Sequence, residues 1–134
     1  MALLDKGADV DARNEDLESP LHSACYSKNV DIIVALLDRG ADINARCNLG
    51  ETALHVASME GGIEIVAALL DDGADINAVD DRQKTPLHFA CREDNVEMVI
   101  ILLDRGADIH VKDDFHWTPL HEACLKANTS IAMT

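Results

Sequence analysis

Histidine and cysteine residues recur through the sequence at one constant spacing, and their side chains could do chemistry. Imidazoles and thiolates are common zinc ligands, and two thiols can form a disulfide. The residues that follow a thirty-three-residue interval are His22, His55, His88 and His121, together with Cys25, Cys91 and Cys124. A second group of possible ligands consists of His110, Asp113, Asp114 and His116. Whether either group can bind a metal depends on the elements that position it.

The same interval governs the whole sequence. The segment LLDKGADV at 3–10 returns as LLDRGADI, LLDDGADI and LLDRGADI, and the segment SPLHSAC at 19–25 returns as TALHVAS, TPLHFAC and TPLHEAC. A fixed period of this length is typical of a solenoid in which each repeat is one supersecondary unit. We therefore predict a single domain over residues 1–134. Its complete units are 14–46, 47–79 and 80–112, and its partial units are 1–13 and 113–134.

Each unit contains the signals of two short helices. In the unit at 80–112, Thr85 and Pro86 suit an N-cap and a first helical position. Asn95 is suited to cap a second helix, and Gly106 follows its last leucine, where a left-handed residue commonly ends a helix. The stretch from 107 to 117 has no helical period, and we interpret it as an extended turn or hairpin between units.

The predicted helices are too short to be stable alone. Each has about eight residues, below the ~12–15 residues that an isolated helix needs. Stacked units can bury the apolar faces that single units leave exposed. Equivalent residues of successive units then lie in separate layers, roughly 8–10 Å apart.

This layering argues against a metal site. A zinc ion needs every ligand at about 2.1 Å, so the periodic histidines cannot share one ion. The group between His110 and His116 matches no standard zinc spacing, and we interpret it as solvated hairpin residues. We predict no metal and no cofactor.

Layering also separates the cysteines. Disulfide formation needs Cα atoms within about 7 Å, so we expect Cys25, Cys91 and Cys124 to be small, buried packing residues without disulfides. Cys47 lies alone in a hairpin, where we expect it to be accessible. Free thiols indicate a reducing compartment, the cytoplasm or the nucleus.

The two repeated segments resemble those of the ankyrin-repeat family. TPLH followed by alanine, and LLxxGADIN, recur in register over essentially the whole chain. The resemblance implies an all-α solenoid of stacked helix-turn-helix units joined by β-hairpin loops. It also implies that the histidine of TPLH ties the start of its helix to a neighbouring loop by hydrogen bonds, and that hairpin tips and first helices line a concave, protein-binding surface.

Two glycine positions of the family pattern are mostly occupied by other residues. The glycine two positions before the TPLH threonine is present only as Gly50, and Leu17, Gln83 and His116 replace it elsewhere. The glycine between the helices is present only as Gly61, with Lys28, Asp94 and Ala127 in the other units. We expect these replacements to alter the turns without changing the fold.

Composition excludes several classes of function. A net charge of −14 opposes nucleic-acid binding and binding to anionic membranes. The longest apolar runs, such as VIILL at 99–103, fall far short of the ~20 residues that span a bilayer. The sequence has no GxSxG, Walker, HExxH or CxxC motif, so we predict no enzymatic activity and no small-molecule substrate.

The positions that differ between units predict the binding surface. By resemblance they face the concave side, and they include the only tryptophan and the only tyrosine of the chain. Tryptophan, tyrosine and arginine are frequent interface hot spots. Our predicted partner-binding residues are Phe115, Trp117, Leu125, Arg92, Met59, Tyr26, Leu49 and Arg82. The alternative is that Trp117 and Phe115 pack on an adjacent hairpin.

The favoured function is a monomeric, non-catalytic scaffold that binds a protein or peptide. The alternative is a targeting or regulatory module of a larger enzyme, ion channel or ubiquitin ligase. Met1 aligns inside a second helix and Thr134 precedes its unit's LL segment, so we expect a fragment of a longer array whose terminal helices fray first. By resemblance, Asn44 and Asn77 match a site of asparaginyl hydroxylation; the alternative is a hairpin asparagine that bonds its own backbone.

Overall fold

The protein is a stack of paired short helices. The computed structural model describes residues 9–124, and the all-α prediction is confirmed there, because no strand occurs in that range. The six helices that lie completely within it are α1 (Pro20–Ser27), α2 (Val30–Asp38), α3 (Ala53–Glu60), α4 (Ile63–Asp71), α5 (Pro86–Arg92) and α6 (Val96–Asp104). Residues 119–124 are also helical. Helices α1, α3 and α5 are the first helices of their units, and α2, α4 and α6 are the second helices.

The first helices begin with a reciprocal cap. Thr85 Oγ1 accepts a hydrogen bond from the amide of His88, and the Thr85 amide donates to His88 Nδ1 at 3.0 Å. Thr52 and His55 repeat this arrangement. A glutamate or glutamine usually completes such a capping box, and here the imidazole takes that role. The histidine therefore fixes the helix start.

The opposite nitrogen of each ring joins one unit to the next. His22 Nε2 lies 2.7 Å from the main-chain oxygen of Glu51, His55 Nε2 lies 2.9 Å from that of Lys84, and His88 Nε2 lies 2.9 Å from that of Trp117. Because a carbonyl only accepts, Nε2 carries the proton and Nδ1 is the acceptor. The role that the family resemblance implied for these histidines is confirmed.

The first helices pack more closely against one another than the second helices do. Their contact faces carry small residues, among them Ala24, Ala57 and Ala90, all of which are buried. The second helices contribute larger core residues, such as Ile33 and Leu69. The first helices therefore form the more closely packed row, and we call the face that they form with the loop tips the inner surface.

The loops between units are tight turns that also contact each other. In the loop of the second complete unit, the Cys47 amide donates to the Glu51 oxygen and the Gly50 amide donates to the Cys47 oxygen. One main-chain hydrogen bond then joins each loop tip to the next, as from Asp81 to the oxygen of Leu49 at 3.1 Å. The hairpins that we predicted are thus short turns held by these hydrogen bonds, and they carry no strand within residues 9–124.

The replaced glycines are explained by a second feature of these loops. Leu17, Gln83 and His116 have φ values of 60°, 65° and 64°, the left-handed region that glycine occupies most easily. Each of these loops begins with Asn14, Asp80 or Asp113, whose side-chain oxygen accepts two main-chain amides of the loop. The loop that begins with Cys47 has no such oxygen, and it is the one that has Gly50. The side-chain cap thus holds the strained residue where glycine is absent.

Candidate partner-binding surface

The loop tips and the first helices line a common groove on the inner surface. The groove has a volume of about 200 Å³, and it is open to solvent. Leu49, Asp81 and Arg82 contribute from two loop tips, and Phe89 and Arg92 contribute from α5. Three of the predicted partner-binding residues, Leu49, Arg82 and Arg92, therefore lie at one site.

One side of this groove presents guanidinium groups. The Arg92 guanidinium carbon lies 5.0 Å from the centre of the Phe89 ring, so the buried ring makes a cation–π contact with the guanidinium. The same ring contacts His55 edge-on, with 5.3 Å between ring centres. Arg82 is exposed, and its side chain makes no hydrogen bond or ion pair with any described residue. Arg92 also makes an ion pair with the neighbouring Glu93, 3.8 Å between Nε and Oε1, and both side chains are exposed. Arg82 and the terminal nitrogens of Arg92 can bind an external anion.

The floor of the groove is acidic. Burial raises the pKa of the half-buried Glu51 carboxyl, the carboxylates of Asp80 and Glu18 raise it further, and Arg92 opposes the rise. No donor within residues 9–124 forms a hydrogen bond or ion pair with the Glu51 carboxylate. Its main-chain oxygen, in contrast, accepts the hydrogen bond from His22. The hydrogen bond from His22 fixes the backbone of Glu51, and the Glu51 carboxylate remains available to bind a cationic group of a partner.

Tyr26 continues the acidic region toward the amino end of the array. It occupies the position in α1 that Met59 has in α3 and Arg92 has in α5. Partial burial raises the pKa of the Tyr26 phenol to about 12, and the carboxylates of Glu51 and Glu18 add to the effect. Tyr26 is exposed and Met59 is half-buried. The exposed aromatic ring therefore lies among carboxylates.

Phe115 and Trp117 lie in the last described loop. Phe115 is 70% exposed and Trp117 is 38% exposed. Their amides donate to Asp113 Oδ1, each at 2.9 Å, which fixes the backbone of both residues. Both side chains are accessible, Trp117 the less so. Leu125, which we predicted to join them, lies outside the described residues.

The group that could have been a metal site has another role. Burial by itself raises the pKa of the Asp113 carboxyl, but hydrogen bonds from the Trp117 and Phe115 amides and the ammonium of Lys84 outweigh it and lower the pKa. Lys84 Nζ lies 3.5 Å from Asp113 Oδ2 and 2.6 Å from Glu122 Oε1. Within residues 9–124, no three His, Cys, Asp or Glu side chains are arranged to hold a metal ion. Asp113 instead organises its loop and joins it to Lys84.

The sequence analysis did not identify the ion pairs of Lys84 or the contact between Phe89 and Arg92. Lys84 stands where the two preceding units have Glu18 and Glu51, and Glu122 stands where they have Ser23 and Val56. Opposite charges at these two positions were the available signal, but the positions are thirty-eight residues apart and no repeated motif places them side by side.

Asn44 and Asn77 are exposed, and both have a structural role. Asn44 Oδ1 accepts the amide of Asp75 at 3.0 Å, and Asn77 Oδ1 accepts the amide of Asp108 at 2.8 Å. Each bond connects one unit to the next. Hydroxylation of these residues remains a prediction. The alternative, in which the side chain bonds its own backbone, is wrong for these oxygens, because the amides that they accept lie thirty-one residues away.

Two expectations about the cysteines were wrong. Cys47 is only 8% exposed, because its turn folds the side chain into the array. Cys124 is exposed. Cys25 and Cys91 are buried as predicted, and burial raises the pKa of their thiols to about 12 and about 11. All four thiols are free.

Comparison with known families identifies the repeats. Residues 1–80 match a family model described as ankyrin repeats in three copies, and residues 69–123 match one described as ankyrin repeats in many copies. The comparison with curated proteins gave no match. None of the helices among the described residues is long and apolar enough to cross a membrane.

Proposed function

The chain belongs to the ankyrin-repeat family, whose members generally act in protein interaction, and from this we propose that it is a non-catalytic scaffold that binds a protein or peptide on its inner surface. The observation that supports the proposal is variation at fixed surface positions. Tyr26, Met59 and Arg92 share one position on the first helices. A surface built this way can be specific for one partner, because chemically different side chains stand at known intervals.

The anchors of this surface are the exposed side chains of the loop tips and first helices. Leu49 is 59% exposed at a tip, and Arg82 and Phe115 occupy the same position in the next two loops. Partially buried tryptophans and arginines supply much of the binding energy at known interfaces. We therefore assign Trp117 and Arg92 the largest contributions, with Phe115, Leu49 and Arg82 around them.

The assignment is tested by the substitution Trp117→Ala. Only the main-chain oxygen of Trp117 takes part in the bond to His88, so the variant keeps the connection between units. We expect it to lose about 2 kcal/mol of binding free energy toward a partner captured with the wild-type protein, a loss of roughly thirtyfold in affinity. The matched control is Val34→Ala, which removes an exposed apolar side chain from α2, on the outer side.

Two results would reject this function for the surface. One is equal loss of affinity in the Trp117 and Val34 variants, which would place the partner elsewhere. The other is unfolding of the Trp117 variant in circular dichroism, which would support the packing alternative for this side chain.

We also propose that the protein works in a reducing compartment, and the free thiols throughout the described residues support this. We propose that it is a monomer, which sedimentation of the purified chain tests.

A further inference from the structure

The charges on the inner surface are ordered along the array. Acidic groups surround Tyr26 at the amino end, and the guanidinium groups of Arg82 and Arg92 follow further along. Glu51 lies between the two regions, because its main-chain oxygen accepts the bond from His22 of α1 and its side chain lines the groove with Arg82 and Arg92. A partner that matches this surface must carry its own charges in a matching order.

The amino-terminal region suits a cationic side chain. An exposed tyrosine ring attracts a cation over its face, and nearby carboxylates can bind the same cation through charged hydrogen bonds. Tyr26 supplies the ring, and Glu51 supplies a carboxylate that no described residue pairs. Half-burial of Glu51 reduces the solvent screening of its charge.

The following region suits a carboxylate. Guanidinium groups bind carboxylates with two parallel hydrogen bonds. The Phe89 ring restricts the position of Arg92, whose ion pair with Glu93 is long and exposed at 3.8 Å, and the Arg82 side chain has no partner among the described residues. The nearby cation Lys84 is not available, because Glu122 and Asp113 already pair with it.

The distance between the two regions sets the spacing on the partner. Tyr26 and Arg92 are two units apart, about 16–20 Å at the usual separation of packed helices. An extended chain advances about 3.3 Å per residue and covers that distance in about five residues. We propose that the surface binds an extended protein segment that carries one basic and one acidic residue about five positions apart. The lysine or arginine of the segment contacts Tyr26 and Glu51, and its aspartate or glutamate contacts Arg82 and Arg92. This rests on the proposed function and specifies the partner's chemistry.

The first experiment is selection from a displayed library of random twelve-residue peptides on the wild-type protein. We expect the enriched peptides to share one basic and one acidic residue, about five positions apart and in one order. A peptide with the two charges exchanged is the matched control, and we expect it to bind at least about tenfold more weakly. Enriched peptides without this spacing would overturn the inference and leave the proposed function standing.

The second experiment assigns each charge to its region by double-mutant cycles. We expect Glu51→Gln to weaken the selected peptide about fivefold to tenfold, and to have little effect once the basic residue of the peptide is replaced by methionine. Arg92→Gln should behave in the same way toward the acidic residue. Glu97→Gln, which removes an exposed carboxylate from α6, is the control. Additive effects in both cycles would overturn the inference.

Failure of the inference can be told apart from failure of the function. If no peptide is enriched but a protein partner binds in a Trp117-dependent manner, the extended-segment inference is wrong and the interaction surface stands. If neither peptide nor protein binds the folded array, both are wrong. Circular dichroism of Glu51→Gln and Arg92→Gln establishes that the variants are folded before either conclusion is drawn.

Discussion

Removal of the Lys84 ammonium should destabilise the carboxyl-terminal half of the array. Only 12% of the Lys84 side chain is exposed, and the side chains of Glu122 and Asp113 are 6% and 1% exposed. Lys84→Met keeps most of the apolar volume but leaves two buried carboxylates without their cation. Breaking a buried ion pair costs about 3–5 kcal/mol. Because the ammonium retains some contact with solvent, we expect a value of about 3 kcal/mol, near the lower end of that range.

The effect should depend on pH in a defined direction. The pKa of the Asp113 carboxyl lies below its ordinary value of 3.8 in the folded wild type. Its stabilising contribution is therefore complete above pH 3.8 and is lost as the pH falls through the folded pKa. In the variant, the carboxylates lack a cation, and protonation relieves their repulsion. The difference in stability between variant and wild type should accordingly be largest near pH 7 and smaller near pH 4.

Urea unfolding and native-state hydrogen exchange measure this effect. With a slope of about 2 kcal/mol per molar urea, a loss of about 3 kcal/mol lowers the midpoint by about 1.5 M. Exchange should accelerate first in residues 113–124, which the ion pairs of Lys84 join to the rest of the array. The control is Lys112→Met, which removes an exposed ammonium one residue before Asp113. If the two variants have the same stability at pH 7, Lys84 does not stabilise the buried carboxylates and the reasoning fails.

Three further predictions follow from the turns, the histidines and the thiols. Gln83→Gly should raise the free energy of unfolding by about 0.5–1 kcal/mol, because a φ of 65° is strained for glutamine. Urea unfolding measures this gain. An equal gain in Gln83→Ala would show that relief of backbone strain is not its cause. Burial lowers the pKa of His22 and His55, so their contribution to stability is complete above pH 6.5 and is lost as pH falls below it. Titration of the ring protons by nuclear magnetic resonance should show both below 6.5, and ordinary values would refute this. Cys124 should react readily with a thiol reagent in the native protein, whereas Cys25, with its raised pKa, should react only on unfolding; simultaneous modification would contradict the burial.

The helices and their order could be predicted from sequence because their determinants are local. Thr85 and Pro86 mark a helix start, and Gly106 with φ of 91° marks an end, as the pattern indicated. The thirty-three-residue period then places equivalent residues in successive layers. Local signals and one period were sufficient for the architecture of the described residues.

The state of individual side chains was harder to predict, because it depends on residues far away in sequence. Lys84 is one of the loop residues that differ between units, but Glu122, thirty-eight positions later, pairs with it. Cys47 is buried, as are Asp80 and Asp113 at the equivalent position of other loops. The pairing of Lys84 produces no period and no motif. The binding surface is subject to the same limit, and its residues remain a prediction until a partner is measured.

The histidine bonds between units have a consequence for how such an array can change. Their acceptors are main-chain oxygens, and these belong to glutamate, lysine and tryptophan at one equivalent position: Glu51, Lys84 and Trp117. The hydrogen bond from the histidine does not depend on the side chain of the residue that supplies the main-chain oxygen. Where the side chain has no ion pair of its own, as at Glu51, mutation can therefore exchange it while the histidine bond stays intact; Lys84 is the exception, because its ammonium also pairs with Glu122 and Asp113. Outside that exception, such an array can acquire a new preference for partners one substitution at a time without losing the bonds between its units.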